Sequence, residues 1–327
     1  MGPRAAALGL ALAGLLGCDG GDAASPRDSA VSDAAPADAV VAPDGVAPDS
    51  AAPHDLGVDR GVDLGPDPLA CNGARHLCDR PLPQVTFLLG HNAHAVRPPF
   101  SRFAANQGLP IAEQLAAGAR GVGIKLYWTD HEACGPLGLY GYHGVERLGC
   151  VPFADIAAPV VAFMRANPRE VLVMTVEGSA PAERVVAGLQ DSGLAAWTFT
   201  GPAEGDWPTL GALIEADQRL LVLRAGGGAG LPDLWQVVRD TPYDFESTAE
   251  MGCEPHRGPA TAPLFQINHF LTRLRPVPEE AAATNGWAAL GARVAACAEA
   301  RGWPTILLMD FLGEGDAFEV VAALNGP

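Results

Sequence analysis

Two histidines close apolar runs in this chain: His91 ends VTFLLGH and His143 ends LGLYGYH. Between them, QLAAGARGVGIKLYW turns a helical stretch into a further buried strand that carries Lys125. Imidazoles on the tips of neighbouring strands can take a proton from one oxygen and give one to another. That is the equipment for breaking a phosphodiester by general acid–base catalysis. Lys125 would supply a cation for the charge that builds on the phosphoryl oxygens. Asp310, at the end of TILLMD, would orient an imidazole as the third group of a triad does. Asn92, Glu177, Asn268 and His269 also end or follow apolar runs, and are read as substrate-binding residues. A carboxylate such as Glu177 at the end of an apolar strand needs a partner: a cation, Lys125 or a sugar hydroxyl. His94 is a second choice for His91, and Gly144 would let a ligand approach the backbone beside His143.

The elements that must position these residues alternate. Strands are predicted at 85–89, 121–127, 137–142, 170–176, 219–224, 264–268 and 305–310. Helices are predicted at 111–117, 153–167, 180–190, 281–300 (broken near Asn285-Gly286) and 316–324. VLVMTV is apolar at every position, as a strand buried on both faces requires. Strand–helix alternation of this kind implies an α/β fold, a parallel sheet closing into a (β/α) barrel, with chemistry where the strands end.

Not all 327 residues belong to that domain. Residues 1–17 hold Arg4 and then an apolar run too short to span a bilayer, and read as a signal peptide. The run ends in Leu15-Leu16-Gly17-Cys18, which resembles a bacterial lipobox and makes Cys18 the expected lipidated N-terminus. Residues 18–69 form an Ala/Pro/Asp-rich tether without aromatics, expected to be disordered. From Asp19 to Ala70 it carries eleven Asp against two Arg, −9 of the formal −17. The folded part, 70–327, has no basic excess that would suit nucleic acid. The expected location is therefore an exported, membrane-anchored lipoprotein at the bacterial cell envelope, its partners a phospholipid or other phosphodiester. The six remaining cysteines suit an oxidising compartment. Cys71–Cys78 is the favoured pair because both flank one short segment. Cys134 with Cys150 and Cys253 with Cys297 is one of the ways to pair the others.

Over FLLGHNAHA, NQGLPIAEQLAAGARGVGIKLY, LYGYHG, FADIAAPVVAFMRANPREVLVMTVEG, FQINHFLT and ILLMDFLGEGDAFEVVAALN, the chain resembles the phosphatidylinositol-specific phospholipase C X-domain superfamily. The likeness implies a distorted TIM barrel of the PLC-like phosphodiesterase type, with His91 as general base and His143 as general acid. Asn92 and Glu177 match positions that bind calcium in calcium-dependent members. Two further acidic ligands of those members fall at Gly123 and Lys125, so calcium is disfavoured and no cofactor is expected. Metal-independent members place Arg where Lys125 stands and keep Asp where Gly123 stands. The leading expectation is a metal-independent phosphodiesterase. A weak or inactive headgroup-binding module, and a calcium-dependent diesterase using Asn92, Glu177 and a residue such as Asp130, stay open as rivals.

Overall fold

The structure is a computed structural model that describes residues 67–201, 203, 205–273 and 276–327. The signal segment, Cys18 and the tether as far as residue 66 lie outside the described residues. Nine strands are present among the described residues: β1 (Phe87–Gly90), β2 (Gly121–Thr129), β3 (Gly138–Tyr142), β4 (Cys150–Pro152), β5 (Leu172–Glu177), β6 (Leu220–Arg224), β7 (Val238–Asp240), β8 (Leu264–His269) and β9 (Ile306–Met309). The helices are α1 (Ile111–Ala117), α2 (Phe153–Ala166), α3 (Ala182–Ser192), α4 (Leu210–Glu215), α5 (Leu234–Val237), α6 (Pro278–Thr284), α7 (Trp287–Arg301) and α8 (Ala317–Leu324).

Seven strands run parallel in the order β7-β8-β9-β1-β2-β5-β6. No ladder joins β6 to β7 among the described residues, so the barrel has an open seam. The second half of β2 leaves the parallel sheet and pairs antiparallel with β3, which pairs with β4. This hairpin projects beyond the strand ends, and the Cys134–Cys150 disulfide ties the β2–β3 loop to the start of β4. Cys71–Cys78 and Cys253–Cys297 are also bonded, the latter fastening the β7–β8 connection to α7.

Period-2 alternation sorts each strand into an inner and an outer set. Phe87, Leu89, Val173, Leu221, Leu223, Val238, Leu264, Ile306 and Leu308 fill the barrel. Val122, Ile124, Met174 and Val222, with Leu88, Phe265, Ile267, Leu307 and Met309, face the helices. Helix α2 shows how sequence sets the outer layer. Phe153, Ile156, Ala157, Val160, Val161 and Met164 recur at helical spacing and are all buried. Pro159 sits inside that helix without interrupting the stripe. The predicted helix 281–300 is two, α6 and α7, with Asn285 and Gly286 between them.

Candidate functional site

The inner set continues past the apolar layer as polar residues. Following the same parity, Leu89 leads to His91, Gly123 to Lys125, Thr175 to Glu177, Val238 to Asp240, and Leu308 to Asp310. All five gather at the C-terminal ends of the strands, which is where parallel barrels place chemistry.

His91 and Asp310 are neighbours because β1 and β9 pair in register through Gly90 and Met309. His91 Nδ1 donates to Asp310 Oδ1 at 2.8 Å. Asp310 Oδ2 accepts from Asn106 Nδ2 at 2.9 Å, and Asn106 Oδ1 accepts from Asn92 Nδ2 at 3.0 Å. Asn92 Nδ2 also lies 3.1 Å from His91 Nε2, closing a ring of four residues. Asn92 has φ 44°, a left-handed conformation that asparagine tolerates better than most residues. Phe270 stacks on the His91 imidazole, 4.1 Å between centroids and 11° from parallel. The ring is thus held in plane by Phe270 and in tautomer by Asp310.

His143 follows β3. Its Nδ1 donates to the Ala104 carbonyl at 3.1 Å, so both imidazoles are anchored through Nδ1, and the Nε2 of His91 is held only by the Asn92 amide. The two ring centroids are 6.1 Å apart, edge to face, close enough to reach two oxygens on one phosphorus. Burial holds the His143 imidazole below its ordinary pKa, partly opposed by the Ala104 hydrogen bond, with the Lys125 ammonium adding to the lowering. Gly144 adopts φ +77° with open space where a Cβ would sit. Its backbone conformation itself favours glycine.

Lys125 lies with His91, Asn92 and Glu177 around one small hollow and makes no ion pair or hydrogen bond among the described residues. Glu177 is instead paired with Arg257, Nη1 to Oε1 at 3.0 Å. Nothing in the sequence marked Arg257, which stands in the irregular β7–β8 connection. Asn106 was equally unmarked.

Three expectations are corrected. Asn268 is fully buried: its amide donates to Asp240 Oδ2 and the Thr241 carbonyl, and its oxygen accepts from Gln266. It braces Asp240 beneath the cleft. His269 belongs to the outer set, where Nε2 donates to the Thr284 carbonyl and Nδ1 accepts from Arg293. Burial pushes its pKa down to about 4, so it is a neutral packing residue. His94 is buried against Phe100 and Gly141, and burial takes it down to about 3; it does not replace His91.

The residues present do not fit calcium. One observation favours a cation: the buried Asn92 Oδ1 lacks a partner. Against it, Glu177 is neutralised by Arg257, Lys125 brings an ammonium to the same hollow, and position 123 has no room for a carboxylate. A Cβ on Gly123 would stand 2.8 Å from Leu308 Cδ1 and 3.0 Å from the Gly90 carbonyl oxygen. Gly123→Asp should therefore cost about 1–3 kcal/mol through overpacking without creating a calcium site. Thermal melting with and without calcium checks both: a lower melting temperature that calcium does not restore is expected.

The PI-PLC X family model (PI-PLC X 1) matches residues 77–325. The chain belongs to the PI-PLC X domain family. A PI-PLC X domain-containing protein 1 of Arthroderma benhamiae is 26% identical over 79% of this chain and 90% of its own length. An uncharacterized secreted protein of the same fungus is also 26% identical, over 78% of this chain. A PI-PLC X domain-containing protein of Arabidopsis thaliana is 25% identical over 76%. The chain spans 64% and 63% of the length of these last two relatives. Phosphatidylinositol-specific phospholipase C of Listeria monocytogenes superposes with a TM-score of 0.51 at 18% identity, over 76% of this chain and 96% of that one. The S. aureus enzyme does so with 0.54 at 12%, over 76% and 95%. These likenesses give the fold, the distorted TIM barrel expected from the sequence.

Proposed function

We propose that this PI-PLC X domain is a metal-independent phosphodiesterase working by two-histidine acid–base catalysis. The observation that carries the reading is the matched pair of imidazoles, each tied through Nδ1, with centroids 6.1 Å apart. His91 Nε2 takes the proton of a hydroxyl on the substrate, displacing the Asn92 amide hydrogen from that nitrogen. The hydroxyl oxygen bonds to phosphorus, the bond to the leaving oxygen breaks, and His143 protonates the leaving alkoxide. Lys125 and the displaced Asn92 amide face the charge on the phosphoryl oxygens, a contribution often worth several kcal/mol. The product is a cyclic phosphodiester.

The substrate class we assign is a phospholipid or other phosphodiester with a neighbouring hydroxyl. Three disulfides, and a relative described as secreted, support export. Anchoring through a lipidated Cys18 completes the reading by placing the barrel at a lipid surface. A headgroup-binding module without turnover is the second reading, favoured by Gly123 where family members carry a carboxylate.

The test is turnover of phosphatidylinositol, phosphatidylglycerol and a chromogenic phosphodiester by the full chain, with and without a chelator. Cleavage unaffected by the chelator is expected. Chelator-sensitive turnover defeats the metal-free mechanism, and headgroup binding with no turnover of any diester establishes the binding module.

A further inference from the structure

Asn106 is buried and does not line the hollow beside Lys125. Its backbone is fixed from two sides. The N–H donates to the Ala95 carbonyl at 2.9 Å, and the carbonyl accepts from the Phe311 N–H at 2.8 Å. Beside it, Gln107 Nε2 donates to the His91 and Met309 carbonyls, each at 2.9 Å. These ties hold the loop without the Asn106 side chain, which is left to span Asp310 and Asn92.

One group dictates the direction of that span. An ionised carboxylate only accepts hydrogen bonds, so the Asn106 atom that faces Asp310 Oδ2 must be Nδ2. Asn106 Oδ1 then faces Asn92, and Asn92 must present its own Nδ2 in return. One Asn92 amide hydrogen goes to Asn106 Oδ1 at 3.0 Å and the other to His91 Nε2 at 3.1 Å. Nε2 therefore offers a lone pair, and the proton of the neutral imidazole sits on Nδ1, which donates to Asp310 Oδ1 at 2.8 Å. The atom left over is Asn92 Oδ1, a buried acceptor with no partner among the described residues. Such an orphan is costly, and it marks an orientation imposed from elsewhere. Turned over, the Asn92 amide would bring Oδ1 to Nε2 and favour a proton on that nitrogen.

Building on the diesterase reading above, we infer that Asn106 is a positioning residue for the base. It passes the acceptor character of Asp310 on to Asn92, and so keeps the His91 Nε2 lone pair ready for the substrate hydroxyl. The same constraint fixes where Asn92 Nδ2 stands when the substrate proton displaces it, facing the phosphoryl oxygens. The acid is outside this chain of contacts. His143 is held by the main-chain carbonyl of Ala104, which the Asn106 side chain does not supply.

The experiment joins kinetics to histidine-ring ¹⁵N NMR of the full chain at about pH 7.5, where an ordinary imidazole is neutral. It uses the wild type, Asn106→Ala and Asn106→Leu, the last keeping the buried volume. In the wild type, His91 Nε2 should resonate as a bare nitrogen that accepts a hydrogen bond. In the variants that signal should move toward the protonated position, and kcat should fall about 10²-fold with KM nearly unchanged. The loss should be equal on phosphatidylinositol and on a nitrophenyl diester, because the base serves both. A wild type whose Nε2 carries the proton overturns the inference without any variant, and that measurement decides if melting curves show both variants unfolded. In a folded variant, an unmoved Nε2 signal means that Asn106 only packs, and an unchanged kcat means that its contacts do not serve the base. Either overturns the positioning role and leaves the diesterase reading intact. If the wild type turns over no diester, the diesterase reading fails, and the ring spectra still decide whether Asn106 sets the tautomer of His91.

Discussion

His91→Ala should slow diester cleavage about 10²–10⁴-fold whatever the leaving group, whereas the loss in His143→Ala should depend on it. A base that takes the proton of the attacking hydroxyl is needed equally for a lipid alkoxide and for a stabilised phenolate. An acid is needed only where the departing oxygen is strongly basic. His143→Ala should therefore lose a factor in the same range on a phospholipid and regain most of it on a nitrophenyl diester. Asp310→Asn keeps the shape of the four-residue ring but replaces a carboxylate that fixes His91 Nδ1–H. It should lower kcat with little change in KM, through the wrong imidazole tautomer. The pH profile gives an independent readout. His143 must enter the reaction protonated, and burial lowers its pKa. The alkaline limb of kcat/KM should then fall with a midpoint below the ordinary imidazole value of about 6.5, and His143→Ala should abolish that limb. Equal losses of His143→Ala on both leaving groups would make His143 a positioning residue and remove the acid from the mechanism.

Most of this centre was legible because a buried strand must be apolar, so a polar residue that ends such a run stands out. His91, Lys125, Glu177 and Asp310 were found that way, and they share one barrel face because each continues the inward parity of its strand. The same rule overreached at Asn268 and His269. Parity separates them: His269 shares its register with Phe265 and Ile267, which pack on the helices, and only Asn268 points inward, where it supports Asp240. Strands β4 and β7 have three residues each. That is too few to show a period, so their place in the sheet, and with it Asp240, was invisible. Arg257 and Asn106 lie in connections whose path is set by tertiary contacts: the seam between β6 and β7 for one, the His91–Asp310 ring for the other. No local pattern distinguishes them from solvent-exposed polar residues.

Acid should unfold this domain well before its carboxylates are all protonated. His94, whose two ring nitrogens find no hydrogen-bond partner, is held at about 3 chiefly by burial. His269 is held at about 4 by burial, with Arg293 adding to the shift and the Thr284 hydrogen bond opposing it. Both are neutral in the folded state, while in the unfolded chain they take up protons near pH 6.5. Between these values the unfolded state binds more protons, so stability rises with pH and is lost on acidification. The contribution is complete above about pH 6.5 and drains away toward pH 4 and below. At about 1.36 kcal/mol per pH unit for each proton, the two histidines together should remove about 5 kcal/mol between pH 7.5 and 4.5. That is comparable to the whole stability of many domains. Urea unfolding across this range checks it: the slope of unfolding free energy against pH near 5 should correspond to an uptake of about two protons from these residues. His269→Gln supplies an amide that can donate to the Thr284 carbonyl and accept from Arg293, and it should reduce the slope by one proton. A flat stability profile from pH 7.5 to 4.5 would mean that these imidazoles are reachable by protons in the folded state, and the packing described around them would be wrong.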